Sequence, residues 1–197
     1  IQKPYVDGDE EAYAQDIIDR YQHGEFFSQD SIKHTGPAYH TGIGRVVYGG
    51  GGITPDIFVP EDTTYVTSYY KQAIMSGLIL QFAFTYTDNN RQKMKMFKQM
   101  LDLSKYLNEQ NTVDQFADYA DKHGLQRRNL LIKKSHSLLE QFINGRIIYN
   151  MLDEQALYEY LNQDDPVITR ALMLFRQNAA FPKKPAPASA AKKAKKR

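Results

Sequence analysis

Residues 44–60 read Gly44-Arg45-Val46-Val47-Tyr48-Gly49-Gly50-Gly51-Gly52-Ile53-Thr54-Pro55-Asp56-Ile57-Phe58-Val59-Pro60, and the sequence changes character across them. Nine of the twelve glycines fall in residues 1–60, whereas Glu61 to Asp165 holds no proline and only Gly77, Gly124 and Gly145. The first part therefore reads as strands and turns, and the second as helices. Upstream, Tyr39–Thr41 and Arg45–Tyr48 predict two strand segments joined at Gly42-Ile43-Gly44, with glycine available for a positive φ. Ile57–Val59 is a third extended piece closed by Pro60. Before them, Glu10–Tyr21 sets Ala14, Ile17, Ile18 and Tyr21 at helical spacing, and Gly24 stops the helix.

Downstream, apolar spacing predicts helices over Thr64 to about Tyr86, Arg91–Leu107, Arg127 to about Asn144, and Ile147–Leu161 running on through Gly145. Thr112-Val113-Asp114-Gln115 has the form of a capping box opening a helix that Gly124 ends. Asp165 followed by Pro166 predicts the N-terminus of a last helix carrying Ile168, Ala171, Leu172 and Phe175. The expected fold class is α+β: a short helix and strands, then a bundle of about five helices. Expected domains are 1–63, rich in strand and glycine, 64–181, helical, and 182–197, a disordered basic tail.

The 197 residues include 42% hydrophobic residues and no cysteine, which excludes a disulfide framework, thiolate metal ligation and a cysteine nucleophile. Formal charge is +2, but Lys183, Lys184, Lys192, Lys193, Lys195, Lys196 and Arg197 lie together with no acid among them. The other eighteen Lys and Arg face 23 Asp and Glu, so residues 1–182 carry −5. No apolar run approaches the roughly 18 residues needed to cross a bilayer. Ile1 opens the chain without a signal-like segment, so the sequence is expected to begin inside a longer protein.

Four adjacent glycines suit a phosphate cradle, yet no lysine and Ser or Thr follow at phosphate-loop spacing, and Gly42-Ile43-Gly44 does not continue into a dinucleotide fingerprint. A close backbone crossing is the simpler use of such glycines.

At this point Gly44–Pro60, preceded by YHTGIGR and further upstream by IQKPY, RYQHGEF and DSI, resembles the end of the protease core of carboxy-terminal processing peptidases, the tail-specific proteases, in their long Bacteroides-like form. The likeness is specific over residues 1 to about 60. To about 180 it rests on length and helicity, and it does not extend to the tail. The resemblance implies hydrolysis of peptide bonds by a serine with a lysine base, both in a block upstream of this region, without metal or organic cofactor. It implies a periplasmic or cell-envelope setting, with protein or peptide substrates, the upstream protease domain and self-association as partners.

No site residue carries over. Ser28, Ser31, Ser68, Ser76, Ser104, Ser135, Ser137 and Ser189 do not sit in small-residue turns, and Lys33, two positions from Ser31, is badly spaced to serve as its base. The chain alone is expected to be inactive. His23, His34, His40, His123 and His136 are scattered, although His34 and His40 could share a strand face. They lack the three or four convergent ligands of a zinc site. Asp7, Asp9, Glu10 and Glu11 lack the alternation of a calcium loop and suit a helix start. Gln126-Arg127-Arg128-Asn129 in an acidic body is a weak nucleic-acid signal. Tyr65, Tyr69, Tyr70 and Tyr86 cluster where packing or a peptide-contacting surface would use them. The alternative to a peptidase portion is a stand-alone helical interaction module whose basic tail binds nucleic acid or an anionic surface.

Overall fold

The computed structural model describes residues 7–8, 10–32, 34, 36–49, 55–179 and 181. Lys33, Asp9, residues 1–6, the segment Gly50–Thr54, Ser189 and the expected tail 182–197 lie outside them. Described helices dominate, accompanied by one two-stranded antiparallel sheet, so the architecture is mixed α and β with helix in excess. Two compact units emerge, one of residues 1–62 with 170–197 and one of residues 63–169.

In the first unit, α1 (Glu10–Gln22) ends at Gly24, whose φ of 83° permits the bonds Gly24 N–H to Tyr21 O and Glu25 N–H to Arg20 O. A 3₁₀ turn, Gln29–Ser31, follows. Strands β1 (Ala38–His40) and β2 (Val46–Tyr48) pair Ala38 with Tyr48, Tyr39 with Val47 and His40 with Val46. Ile57–Val59 joins no sheet among the described residues. Among the residues of 7–62 whose burial is described, which leave out Glu10 and Tyr13, none is buried.

The second unit holds the core. Its helices are α2 (Ser68–Met75), α3 (Leu78–Met94), α4 (Met100–Asn108), α5 (Thr112–Lys122), α6 (Asn129–Lys134), α7 (His136–Met151) and α8 (Glu154–Leu161), and α9 (Pro166–Arg176) begins in it. Helix α7 is apolar on several faces because it packs against α3, α4, α5, α6 and α8. Its Leu139, Ile143, Ile147 and Ile148 meet Ile79, Phe82 and Ala83 of α3, Leu103 and Leu107 of α4 and Phe116 of α5 in one cluster. Gly145 is buried, and a Cβ there would stand 3.1 Å from Leu157 Cδ1, so this glycine lets α8 approach α7 closely.

Several helix boundaries differ from the sequence reading, and eight helices rather than about five follow residue 64 among the described residues. The helix expected over Thr64–Tyr86 is broken by Gly77 at φ 70°, after which α3 runs past Arg91 to Met94. The one expected from Arg91 starts again only at Met100, where the chain turns at Gln99 with Met94 and Met100 buried and Phe97 against Tyr106 at 5.1 Å. The Arg127 helix divides at Ser135, whose hydroxyl bonds back to Leu131 O at 2.8 Å. Ile147 lies inside α7, which does run through Gly145, and Asp153 caps a separate α8 by accepting from Ala156 N–H at 2.8 Å.

The capping box does not form. Asn111, at φ 51°, precedes the helix, and Thr112 is buried as its first residue. The Thr112 hydroxyl donates to Asn144 Oδ1 at 2.8 Å, while Gln115 Nε2 donates to Gln110 O. A fully buried amide on α7 must be satisfied, and that requirement outweighs the local cap. The Asp165 cap holds, with its carboxylate accepting from Val167 and Ile168 N–H at 2.7 and 2.9 Å.

Candidate functional site

The glycine-rich hairpin is the candidate site. Its turn closes locally: Thr41 N–H donates to Arg45 O, Gly44 N–H to Thr41 O, and Arg45 N–H to the Thr41 hydroxyl at 3.1 Å. Gly44 stands at φ 84°, the conformation expected of a glycine in this connection. Beyond β1 and β2, Gly49 N–H donates to Pro37 O at 3.0 Å. A Cβ on Gly36 would fall 1.6 Å from Gly49 O, so this crossing admits only glycine. A close backbone approach is thus present at Gly36 and Gly49, while Gly50–Gly52, for which the sequence predicts it too, lie outside the described residues.

The Arg45 guanidinium pairs with the Asp56 carboxylate, tying the first part of the glycine-rich stretch to the Pro55-Asp56 bend. His34 stacks on Tyr48 with ring centroids 4.0 Å apart and planes 11° apart, so it faces an aromatic ring instead of sharing a strand face with His40. All six strand residues are exposed, as are Ile17, Ile18 and Tyr21 on α1. Strand spacing alone did not reveal the Arg45–Asp56 pair, because eleven residues separate the partners.

Three of the serines, Ser76, Ser104 and Ser135, have structural occupations. Ser135 gives its one proton to Leu131 O, so the Thr67 hydroxyl 3.1 Å away must donate to Ser135 Oγ while accepting from Tyr70 N–H. Ser76 and Ser104 donate to Ala73 O and Leu101 O. Among the described residues no serine hydroxyl bonds a lysine or histidine, and no group of three or more His, Asp or Glu is placed to hold a metal. His123 stacks on Tyr119 and its Nδ1 lies 2.7 Å from Tyr119 O. It borders a cleft of about 460 Å³ shared with Gln72, Met75, Ser76 and Leu78.

Arg127 is held by acids. Its Nη2 and Nη1 donate to Asp114 and Asp118 at 2.6 and 2.5 Å, and its backbone N–H donates to Asp121. The hydrogen bond to Asp114 leads in raising its pKa further. The Arg127 guanidinium, part of the weak nucleic-acid signal, is therefore engaged within the chain. Of the tyrosine cluster, Tyr69 and Tyr86 are buried and Tyr65 is exposed. Desolvation pushes the Tyr69 and Tyr86 phenols up to about 12. Tyr160 is raised to about 12 by burial and then by Glu140, while its hydrogen bond with Asn144 pulls the other way.

Asn144, which the sequence reading missed, joins α4, α5 and α7: it accepts from Thr112 and donates to Asn108 Oδ1 at 3.3 Å. A polar residue beside Ile143 at core phase was the available signal. Among the described residues no helix is long and apolar enough to cross a membrane.

No curated protein and no solved structure matches the chain. Residues 69–153, from α2 to the edge of α8 and short of the glycine-rich hairpin, are similar to a family of unknown function (DUF8443).

Proposed function

We propose that this chain is the C-terminal portion of a tail-specific serine peptidase, in which residues 1–63 complete the catalytic core and residues 64–181 form a helical domain. The whole enzyme hydrolyses peptide bonds in protein substrates with a serine nucleophile and a lysine base supplied upstream. The portion described here takes no part in the bond-breaking step. It contributes strands, packing surface and self-association in a periplasmic or envelope enzyme.

One observation carries this reading beside the Gly44–Pro60 likeness. The hairpin and α1 present uncovered apolar side chains: Ile17, Ile18, Tyr21, Tyr39, Val46, Val47 and Tyr48 are all exposed, and no residue of 7–62 whose burial is described is buried. Elements so rich in uncovered apolar side chains gain stability only from a further body packed on them. The competing reading, a stand-alone helical module, draws on the separate core of residues 63–169.

Two measurements decide between them. The coding sequence upstream of Ile1 should encode a serine in a small-residue turn followed by a lysine, and their absence removes the peptidase reading. The purified chain should leave casein intact, and reproducible cleavage surviving Ser31→Ala would mean that a nucleophile resides in this portion. In the full-length enzyme, Gly36→Val should abolish cleavage of a tailed substrate while leaving the melting of the helical unit unchanged.

A further inference from the structure

Helix α9 is built unlike its neighbours. No residue in it is buried, although seven of its eleven positions are apolar. At about 100° per residue, Val167, Ile168, Ala171, Leu172, Leu174 and Phe175 fall on one contiguous arc. Thr169, Arg170, Arg176 and Gln177 fall on the other, with Met173 among them. Val167, Leu172 and Phe175 each keep more than half of their surface exposed. The helix closes with Asn178 in the left-handed region at φ 52°, where Asn178 N–H donates to Phe175 O and Ala179 N–H to Leu174 O. That reversal sets Phe181 edge-on to Phe175, with ring centroids 6.2 Å apart, and extends the apolar arc by another exposed ring.

Past the Asp164-Asp165 pair at its N-terminal end, the charge along this helix and the sequence after it has one sign. Residues 166–197 hold nine Lys and Arg and no Asp or Glu, against sixteen Lys and Arg and 23 Asp and Glu in residues 1–165. An apolar helix face bordered by arginines and continued by a run of cations combines the two weak attractions needed for reversible attachment to an anionic bilayer surface: apolar side chains at the acyl boundary and lysines at the headgroups. Arginine side chains at the border of the arc reach outward along the interface with their charge in water.

We infer that α9 and the basic sequence following it form a peripheral attachment site for anionic lipid, with α9 lying in the membrane plane on its Leu172–Phe175 face. This holds whether or not the chain belongs to a peptidase. Nucleic acid would engage the cations without needing the apolar arc, and a second copy would cover the arc without needing the cations.

The chain contains no tryptophan, so F175W and Q177W each introduce a single reporter, on the apolar and polar arcs. Vesicles of phosphatidylcholine, with and without phosphatidylglycerol, are the probe. The expected result is co-sedimentation with the phosphatidylglycerol vesicles only, weakened on the order of tenfold or more by deleting residues 183–197 or by raising salt. Binding should shift F175W emission to the blue and leave Q177W unshifted. The double variant L172Q/F175Q, altered only at exposed positions and checked for an unchanged circular dichroism spectrum, should weaken binding with the tail intact. The inference is overturned if vesicles do not bind, if F175W does not shift, if the double variant binds as well as the parent, or if duplex DNA binds more tightly than the vesicles. A blue-shifted F175W in a lipid-free dimer would assign the face to a second copy instead.

Discussion

Helices α1 and α7 carry similar side chains to opposite ends. On α7, Ile143, Ile147 and Ile148 are fully buried, whereas on α1, Ile17 is 61% and Ile18 47% exposed. Both are regular helices, so local spacing suffices to form either. The difference lies in what surrounds them: α7 meets five other helices of its unit, while no residue of α1 whose burial is described is buried. Apolar periodicity thus specifies a face to be covered and leaves open what covers it.

The contrast is tested most severely by Phe116→Ala. Phe116 is fully buried against Phe82, and its truncation should cost about 3–5 kcal/mol in urea unfolding followed by circular dichroism. A loss under about 1 kcal/mol would mean that the helical core is not the stable part of the chain.

Alkaline pH should act on the same unit. The Tyr69 and Tyr86 phenols are held near 12 against an ordinary 10.0, so the folded state keeps protons that the unfolded chain releases. Their stabilising contribution is full below pH 10 and is lost as pH rises towards 12, on the order of 2–3 kcal/mol per phenol at most. Unfolding free energies measured between pH 9 and about pH 12 should show that decline, and a flat profile would contradict the burial of these rings.

Asn144→Ala should cost about 1–3 kcal/mol by leaving the buried Thr112 hydroxyl without its acceptor, and the double variant with Thr112→Val should recover part of the loss. Tyr69→Phe has the opposite sign. The Tyr69 hydroxyl is buried with no hydrogen-bond partner, so its removal should leave stability unchanged or raise it by up to about 1 kcal/mol. The smallest effect is expected at α1, where Ile17→Ala should alter unfolding by no more than about 0.5 kcal/mol. A large loss there would show that this helix packs in solution, which would weaken the contrast with α7.

The elements themselves were largely legible. Gly24, Gly44 and Gly124 all take positive φ where the sequence asks for a stop or a turn, and Asp165 caps α9 as its spacing requires. Boundaries without glycine or proline were not legible: Gln99 and Ser135 carry no local stop signal, and Ser135 is bonded to Thr67, far away in sequence. The candidate site was partly legible. Its glycines announced a close crossing, but the contact of Gly36 with Gly49 and the pairing of Arg45 with Asp56 are relations across a fold, invisible to any local window.

The sequence by itself determined the change from strand to helix near residue 60, the absence of thiol chemistry and the concentration of positive charge at the C-terminus, because composition and short-range spacing act within a few residues. Only the tertiary structure decided that Thr112 would serve Asn144 instead of its own helix, that Gly145 would admit α8, and that α1, the hairpin and α9 would keep their apolar faces open. Burial is settled by which surfaces meet, and the desolvation of a buried polar group outweighs the modest preference of a local cap.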